Sequence, residues 1–253
     1  MATRIDNKEL TNRSTRELSS DAELLQAALN LLPKLGNNWN VHNLVTLKRT
    51  SLSRIIYYYE LYQKIVHVPG VICEFGVHWG ATLALLVNLR GILEPYNVSR
   101  SIIGFDTFDG FSHVDKNDGN LVSVGDYKSL PGYEIQLENI LHNHEQSSPV
   151  SHIKKFELVK GDASFTIKGW LKNNTSSIIS MAIFDMDVYK PTKDVLENII
   201  PRLTKGSLLV FDELNCPHFP GETLAVQEIL GLNNMSLRRV PDQSYCAYAI
   251  FGE

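Results

Sequence analysis

Two apolar runs, Ile178-Ile179-Ser180-Met181-Ala182-Ile183-Phe184 and Ser207-Leu208-Leu209-Val210-Phe211, stop abruptly at carboxylates. The first ends in Asp185-Met186-Asp187 and the second in Asp212-Glu213. Runs this continuous suit strands covered on both faces, as in a parallel sheet. Carboxylates are costly inside such a sheet, so they belong at its carboxyl edge, where open α/β sheets take their ligands. Two neighbouring edges that carry acids can hold one divalent cation between them.

The chain upstream alternates in the same way. Strands are expected over 71–75, 101–105 and 156–160, with a helix over 81–90 after the first. A helix over 191–203, with Pro191 in its first turn, separates the two opening runs, and another over 222–230 stops at Gly231. Two β-rich runs, 236–240 and 245–251, flank Pro241-Asp242-Gln243-Ser244 and read as a closing hairpin. The fold expected is α/β: a doubly wound, mostly parallel, seven-stranded Rossmann-like sheet that ends in an antiparallel hairpin.

Residues 1–50 have a different texture and are expected to form a helical extension or lid. One amphipathic helix there is capped at Ser20-Asp21 and carries Leu24, Leu25, Ala28, Leu31 and Leu32. The main domain then covers 51–253. Its first helix, 52–66, presents Leu52, Ile55, Ile56, Tyr59, Tyr62, Ile65 and Val66 as the packing face. An insertion over 107–154 is too long for a plain strand connection and contains a helix over 133–143.

Formal charge is −4, with 24 basic and 28 acidic residues and no basic stripe, so a small-molecule partner is expected rather than nucleic acid. Cys73, Cys216 and Cys246 form no CxxC pair and are expected as reduced, buried thiols. Met1 to Asn12 lacks an apolar signal core and no run reaches membrane-span length, which points to the cytoplasm.

Glu74-Phe75-Gly76-Val77-His78-Trp79-Gly80 marks the first strand-to-helix turn, where the glycines let the backbone approach a ligand. Glu74 replaces the first glycine of G-x-G-x-x-G and no P-loop lysine follows, so a cationic ligand group fits better than a pyrophosphate. Asp106 ends the second strand, where an acid can accept from ribose hydroxyls, and Asp162 follows the third, within reach of an adenine amino group. Each has a simpler alternative as a turn or helix cap.

Together, Glu-x-Gly-x-x-x-Gly at 74–80, Phe-Asp-Thr-Phe at 105–108, Gly-Asp-Ala at 161–163, Asp-x-Asp-x-Tyr-x-x-Thr at 185–192 and Phe-Asp-Glu at 211–213 resemble the macrocin O-methyltransferase family. The resemblance spans roughly 61–229. It implies a class I methyltransferase fold, S-adenosylmethionine as methyl donor, a magnesium ion and a sugar or glycoside hydroxyl as acceptor, often in a homodimer. The implied cofactor pocket comprises Glu74, Gly76, Val77, Gly80, Thr82, Asp106, Thr107, Phe108, Asp162, Ala163 and Asp185. The implied metal ligands are Asp185, Asp212 and Glu213, a set also similar to that of catechol O-methyltransferase. Glu213 is longer than the Asp or Asn usual at its place. Asp187 is assigned a supporting or helix-capping role.

No histidine aligns with the base used by relatives. His142 and His218 are the candidates alongside Asp185, while His113 and His144 lie in the same insertion. Trp79 and Tyr189 are rim or core aromatics. Two other readings keep the fold: a methyltransferase for catechol-like vicinal diols, and a non-catalytic binding or scaffold protein.

Overall fold

The computed structural model describes residues 3–5, 9–11, 13–241, 243 and 245–253. The chain separates into two compact units, 1–56 and 57–253.

In the first unit, β1 (Thr3–Ile5) and β2 (Glu9–Thr11) pair antiparallel. They are followed by α1 (Thr15–Leu31), the short α2 (Trp39–His42) and the start of α3 (Arg49–Ile65). The α1 cap is Ser14, six residues before the expected Ser20, because Ser14 and Glu17 form a reciprocal capping box. Asp21 instead pairs with Arg13 and Lys48. No described side chain of this unit is buried.

The second unit is a three-layer α/β domain. After α3 come β3 (Val71–Phe75), α4 (Ala81–Leu93), β4 (Ile102–Asp106), α5 (Tyr133–Gln146), β5 (Phe156–Lys160) and α6 (Ala163–Asn173). β6 (Ile179–Phe184), α7 (Tyr189–Ile199), β7 (Leu203–Phe211), α8 (Pro220–Ile229) and β8 (Ala247–Ile250) complete it. The sheet order is β5-β4-β3-β6-β7-β8, with only the β7–β8 pair antiparallel. The chain winds outward from β3 to β5, then returns to β6, so the order reverses between β3 and β6.

Alternation along the strands divides the core. Ile72, Ile102, Ile183 and Val210 face a layer that includes the end of α3, α4 and α5, while Phe75, Phe105, Phe184 and Phe211 face α6, α7 and α8. On α3 the buried stripe is Tyr58, Leu61, Tyr62 and Ile65 with Tyr57, whereas Leu52, Ile55, Ile56 and Tyr59 of the expected face are exposed. Within the second unit, the Tyr58 stripe is the part of the helix that packs into the core.

Among the described residues the sheet has six strands, not seven. Of the expected first hairpin arm only Arg238 pairs, through two 2.8 Å bonds to Tyr248. Val240 alone is buried in that run, so it has no apolar face to hold it along β8. The expected turn includes Asp242 and Ser244, which lie outside the described residues. All three cysteines are free and buried. No described helix is long and apolar enough to cross a membrane.

Candidate active site

Phe105, Phe75, Phe184 and Phe211 lie abreast on β4, β3, β6 and β7. All are fully buried, with successive ring centroids 4.8, 5.6 and 5.2 Å apart in stacked pairs. The next residue on each strand is Asp106, Gly76, Asp185 or Asp212, so a single register delivers three carboxylates to one edge. The ladder continues through them: Gly76 N–H donates to Phe105 (2.9 Å), Asp185 to Phe75 (2.8 Å) and Asp212 to Phe184 (3.1 Å).

Gly76 has φ +92°, and a Cβ there would overlap the Asp185 carbonyl. Its glycine character is therefore required by the β3–β6 approach at the switch point itself. Asp106 binds the adjoining turn: Oδ2 accepts from Val77 N (2.6 Å) and His78 N (2.8 Å), and Oδ1 from Phe108 N (2.5 Å). A carboxylate has about four lone-pair sites, so room remains for one further donor.

Gly80 starts α4 at φ +77° without a side-chain cap, leaving first-turn N–H groups unclaimed by a capping residue, and Thr82 is buried in that turn. Glu74 is buried two residues past Ile72, on the α4 side. Thr107 Oγ1 donates to Gly110 O (2.7 Å) and accepts from Asp109 N (3.1 Å), while Phe108 is buried. Asp162 caps α6 by accepting from Ser164 N (2.8 Å) and also accepts from Ser112 Oγ (2.5 Å), beside buried Ala163.

The acids of β6 and β7 form one electrostatic group. Burial, then the charges of Asp185, Glu213 and Asp212, hold the Asp187 carboxyl well above the usual carboxylate range. Burial pushes Glu213 up to about 7, with the Cys216 thiol opposing as a donor and Asp212 adding to the rise. Cys246 Sγ lies 3.0 Å from Asp212 Oδ1, so each member of the pair has a thiol beside it. Asp187 does not cap α7. Val188 holds the cap position, and Tyr189 N donates instead to Asp118 Oδ1 (2.6 Å), 71 residues away in sequence. Pro191 accordingly sits at the third position of α7, not the first.

Sequence reasoning missed Glu222 as a site residue. It is fully buried on α8, its Oε1 accepts from Glu213 N (3.0 Å), and its Oε2 has no hydrogen-bond partner. Burial, reinforced by Asp187, Asp212 and Asp185, raises its proton affinity well above a normal glutamate's. The available signal was an acid in register with Ala225, Val226 and Ile229 on the core stripe of a helix.

Among the described residues no three His, Cys, Asp or Glu side chains are already drawn to metal-ligand spacing. The donor chemistry still suits a hard dication: the ligand candidates are carboxylates, and Glu213 Oε2 is buried without a hydrogen-bond partner.

The structure separates the histidine candidates. α5 runs alongside α4 in the same direction, since Leu137 lies against Gly80, His144 Nδ1 is 3.2 Å from Asn88 Nδ2, and Glu145 pairs with Arg90. α5 thus starts at the rim and leads away from it. His142 is exposed near its far end, about 14 Å along the axis from Tyr133, and is not part of the acid group. His218 stays in the β7–α8 loop that follows the acids, and its backbone N–H faces the Cys216 thiol. His113 is exposed near Asp118.

An aromatic belt crosses the rim: Tyr133–Trp79 (4.8 Å), Trp79–His78 (5.3 Å), His78–Tyr127 (5.9 Å) and Tyr127–Phe219 (6.3 Å). It joins the β3–α4 turn, the insertion and the β7–α8 loop. The insertion closes on itself at a neck, where Phe111 N donates to Asp126 O (3.1 Å) and Gly125 N to Phe111 O (2.9 Å). His78, Phe108, Tyr127, Asp187 and Asn215 all adopt positive φ, between 49° and 62°, in the loops of this edge. Such residues cost about 1–3 kcal/mol each and gather where a site is shaped.

Residues 52–229 match the family described as Macrocin-O-methyltransferase (TylF). The chain belongs to the macrocin O-methyltransferase family. It is an O-methyltransferase, and membership implies S-adenosylmethionine as the methyl donor. The calicheamicin methyltransferase CalS11 is similar over nearly the whole length, 36% identical with a TM-score of 0.91, covering 99% of this chain and 98% of that one. The demethyldecarbamoylnovobiocin O-methyltransferase of Streptomyces niveus is 26% identical over 198 residues, 72% of this chain and 67% of the relative. The mycinamicin III 3''-O-methyltransferase of Micromonospora griseorubida is 27% identical over 158 residues, 59% of this chain and 57% of the relative.

Proposed function

We propose that this enzyme transfers the methyl group of S-adenosylmethionine to a hydroxyl of a sugar or glycoside in natural-product biosynthesis, with Mg2+ assisting. The observation that carries the acceptor class is the likeness to CalS11, described in a second structure as a TDP-rhamnose 3'-O-methyltransferase, 35% identical over 96% of this chain. TDP-deoxysugars are therefore the first acceptors to test.

A sugar hydroxyl is almost wholly protonated near neutral pH and is a poor nucleophile. A bound dication would lower its pKa and fix it in line with the sulfonium methyl. Asp185, Asp212 and Glu213 are the residues proposed to hold that ion, their oxygen donors favouring magnesium over zinc. Asp187 supports them from the loop that it shares with Asp185. Glu74, Gly76, Val77, Gly80, Thr82, Asp106, Thr107, Phe108, Asp162 and Ala163 are proposed to frame the nucleoside end. In that role Asp106 shapes the Val77–His78 turn and offers its remaining lone pair to a ribose hydroxyl. His218 is the proposed proton acceptor, the one candidate histidine that shares a loop with Glu213.

Calorimetric titration of S-adenosylmethionine with and without Mg2+, followed by mass spectrometry of TDP-rhamnose incubations, tests the proposal. The expected result is cofactor binding and a Mg2+-dependent gain of one methyl on the sugar. Absence of cofactor binding, or methylation of simple catechols in preference to the nucleotide sugar, overturns it.

A homodimer is the proposed assembly. Twelve large apolar side chains between Leu25 and Ile56 are exposed, among them Leu29, Trp39, Leu44 and Val45. Apolar exposure on this scale is suited to contribute to the roughly 800 Å² per partner of a standard interface.

A further inference from the structure

The first turn of α8 reaches back to the loop that carries Glu213. Glu222 Oε1 accepts from Glu213 N (3.0 Å), and Thr223 Oγ1 accepts from Asn215 N (2.9 Å), where the chain takes φ 60°. That turn is itself held firmly. A Cβ on Gly221 would overlap Asp118 Oδ1 and crowd Tyr189 N, so α8 starts in close contact with the insertion and with the beginning of α7. Glu222 is fully buried, with Oε2 lacking a hydrogen-bond partner, and it lies in the field of Asp185, Asp187 and Asp212. A buried carboxyl group with one idle oxygen is a costly way to bind a single amide unless the place of that amide matters.

We propose that Glu222 is a positioning residue: through its Oε1 it fixes the Glu213 amide, and with it the orientation of the β7 acid pair toward the cation. The inference rests on the proposed cation role of Asp212 and Glu213, but its structural half can be read without any cation. Side chains that orient ligating groups commonly alter metal affinity about 10- to 100-fold when removed.

The test compares the full-length enzyme with Glu222→Leu and Glu222→Gln. The amide of glutamine keeps an oxygen acceptor, whereas leucine keeps only the bulk. Three quantities are measured: hydrogen exchange at the Glu213 amide without cation, Mg2+ affinity by calorimetry, and the Mg2+ dependence of KM and kcat. The Glu222→Leu variant is expected to lose protection of that amide and to weaken Mg2+ binding at least tenfold, with KM for Mg2+ moving more than kcat. Glu222→Gln should restore both protection and affinity. Normal amide protection in Glu222→Leu, or a glutamine variant as defective as the leucine one, overturns the proposal. Failure of the wild type to bind Mg2+ would count against the cation reading, and the exchange comparison would still decide whether Glu222 fixes the Glu213 amide.

Discussion

Gly76 shows how little space the switch point allows. Its φ of +92° lies in the left-handed half of the map, and the Asp185 carbonyl occupies the volume where a side chain would begin. Gly80, four residues on, has a similar φ of +77°, but its obstruction is the flexible end of Leu137. Gly76→Ala is therefore expected to lose about 2–4 kcal/mol in urea denaturation, because β3 and β6 must part, and to weaken S-adenosylmethionine binding. Gly80→Ala should lose only about 1 kcal/mol. Equal losses at the two positions would count against the backbone overlap. The glycine spacing was legible in the sequence; its partner was not, since the crowding carbonyl comes from Asp185, more than a hundred residues away.

At the level of elements, local pattern and tertiary contact part company at recognisable places. The strands at 71–75 and 156–160 fall where the apolar pattern puts them, each closed by a glycine, Gly76 or Gly161. α7 starts two residues before Pro191 because Asp118, from the insertion, satisfies the Tyr189 N–H. No local signal encodes a cap supplied from so far away. The acids at the ends of β6 and β7 were legible for the same reason as the strands. Glu222 was not legible because the Glu213 amide it holds comes from a loop that only the fold brings to α8, and the distance of His142 from the acids was not legible because the direction of α5 depends on packing against α4. Asp118→Ala should cost about 1–3 kcal/mol, the penalty for leaving the half-buried Tyr189 and Asp115 amides short of the acceptor that buried Asp118 supplies. Limited proteolysis should then cut faster within 107–132 than in wild type, and Asp118→Asn should fall between the two. An unchanged cleavage pattern would mean that the insertion is held elsewhere.

Across the whole molecule, the two units differ in what they bury. The second has a core on each face of its sheet, whereas the first shows no buried described side chain and exposes twelve large apolar ones up to Ile56. Light scattering should give twice the chain mass, and Leu25→Glu with Val45→Glu should reduce it to one; a monomeric wild type excludes the proposed dimer. The neck at Phe111 has a different consequence. The segment between Phe111 and Gly125 is pinned at that hydrogen-bonded crossing and again where Asp118 accepts from Tyr189 N, so its free length lies between fixed points. A change of loop length is therefore expected to be tolerated between Asp118 and Gly125, whereas a graft that removes Asp118 should also loosen the starts of α7 and α8.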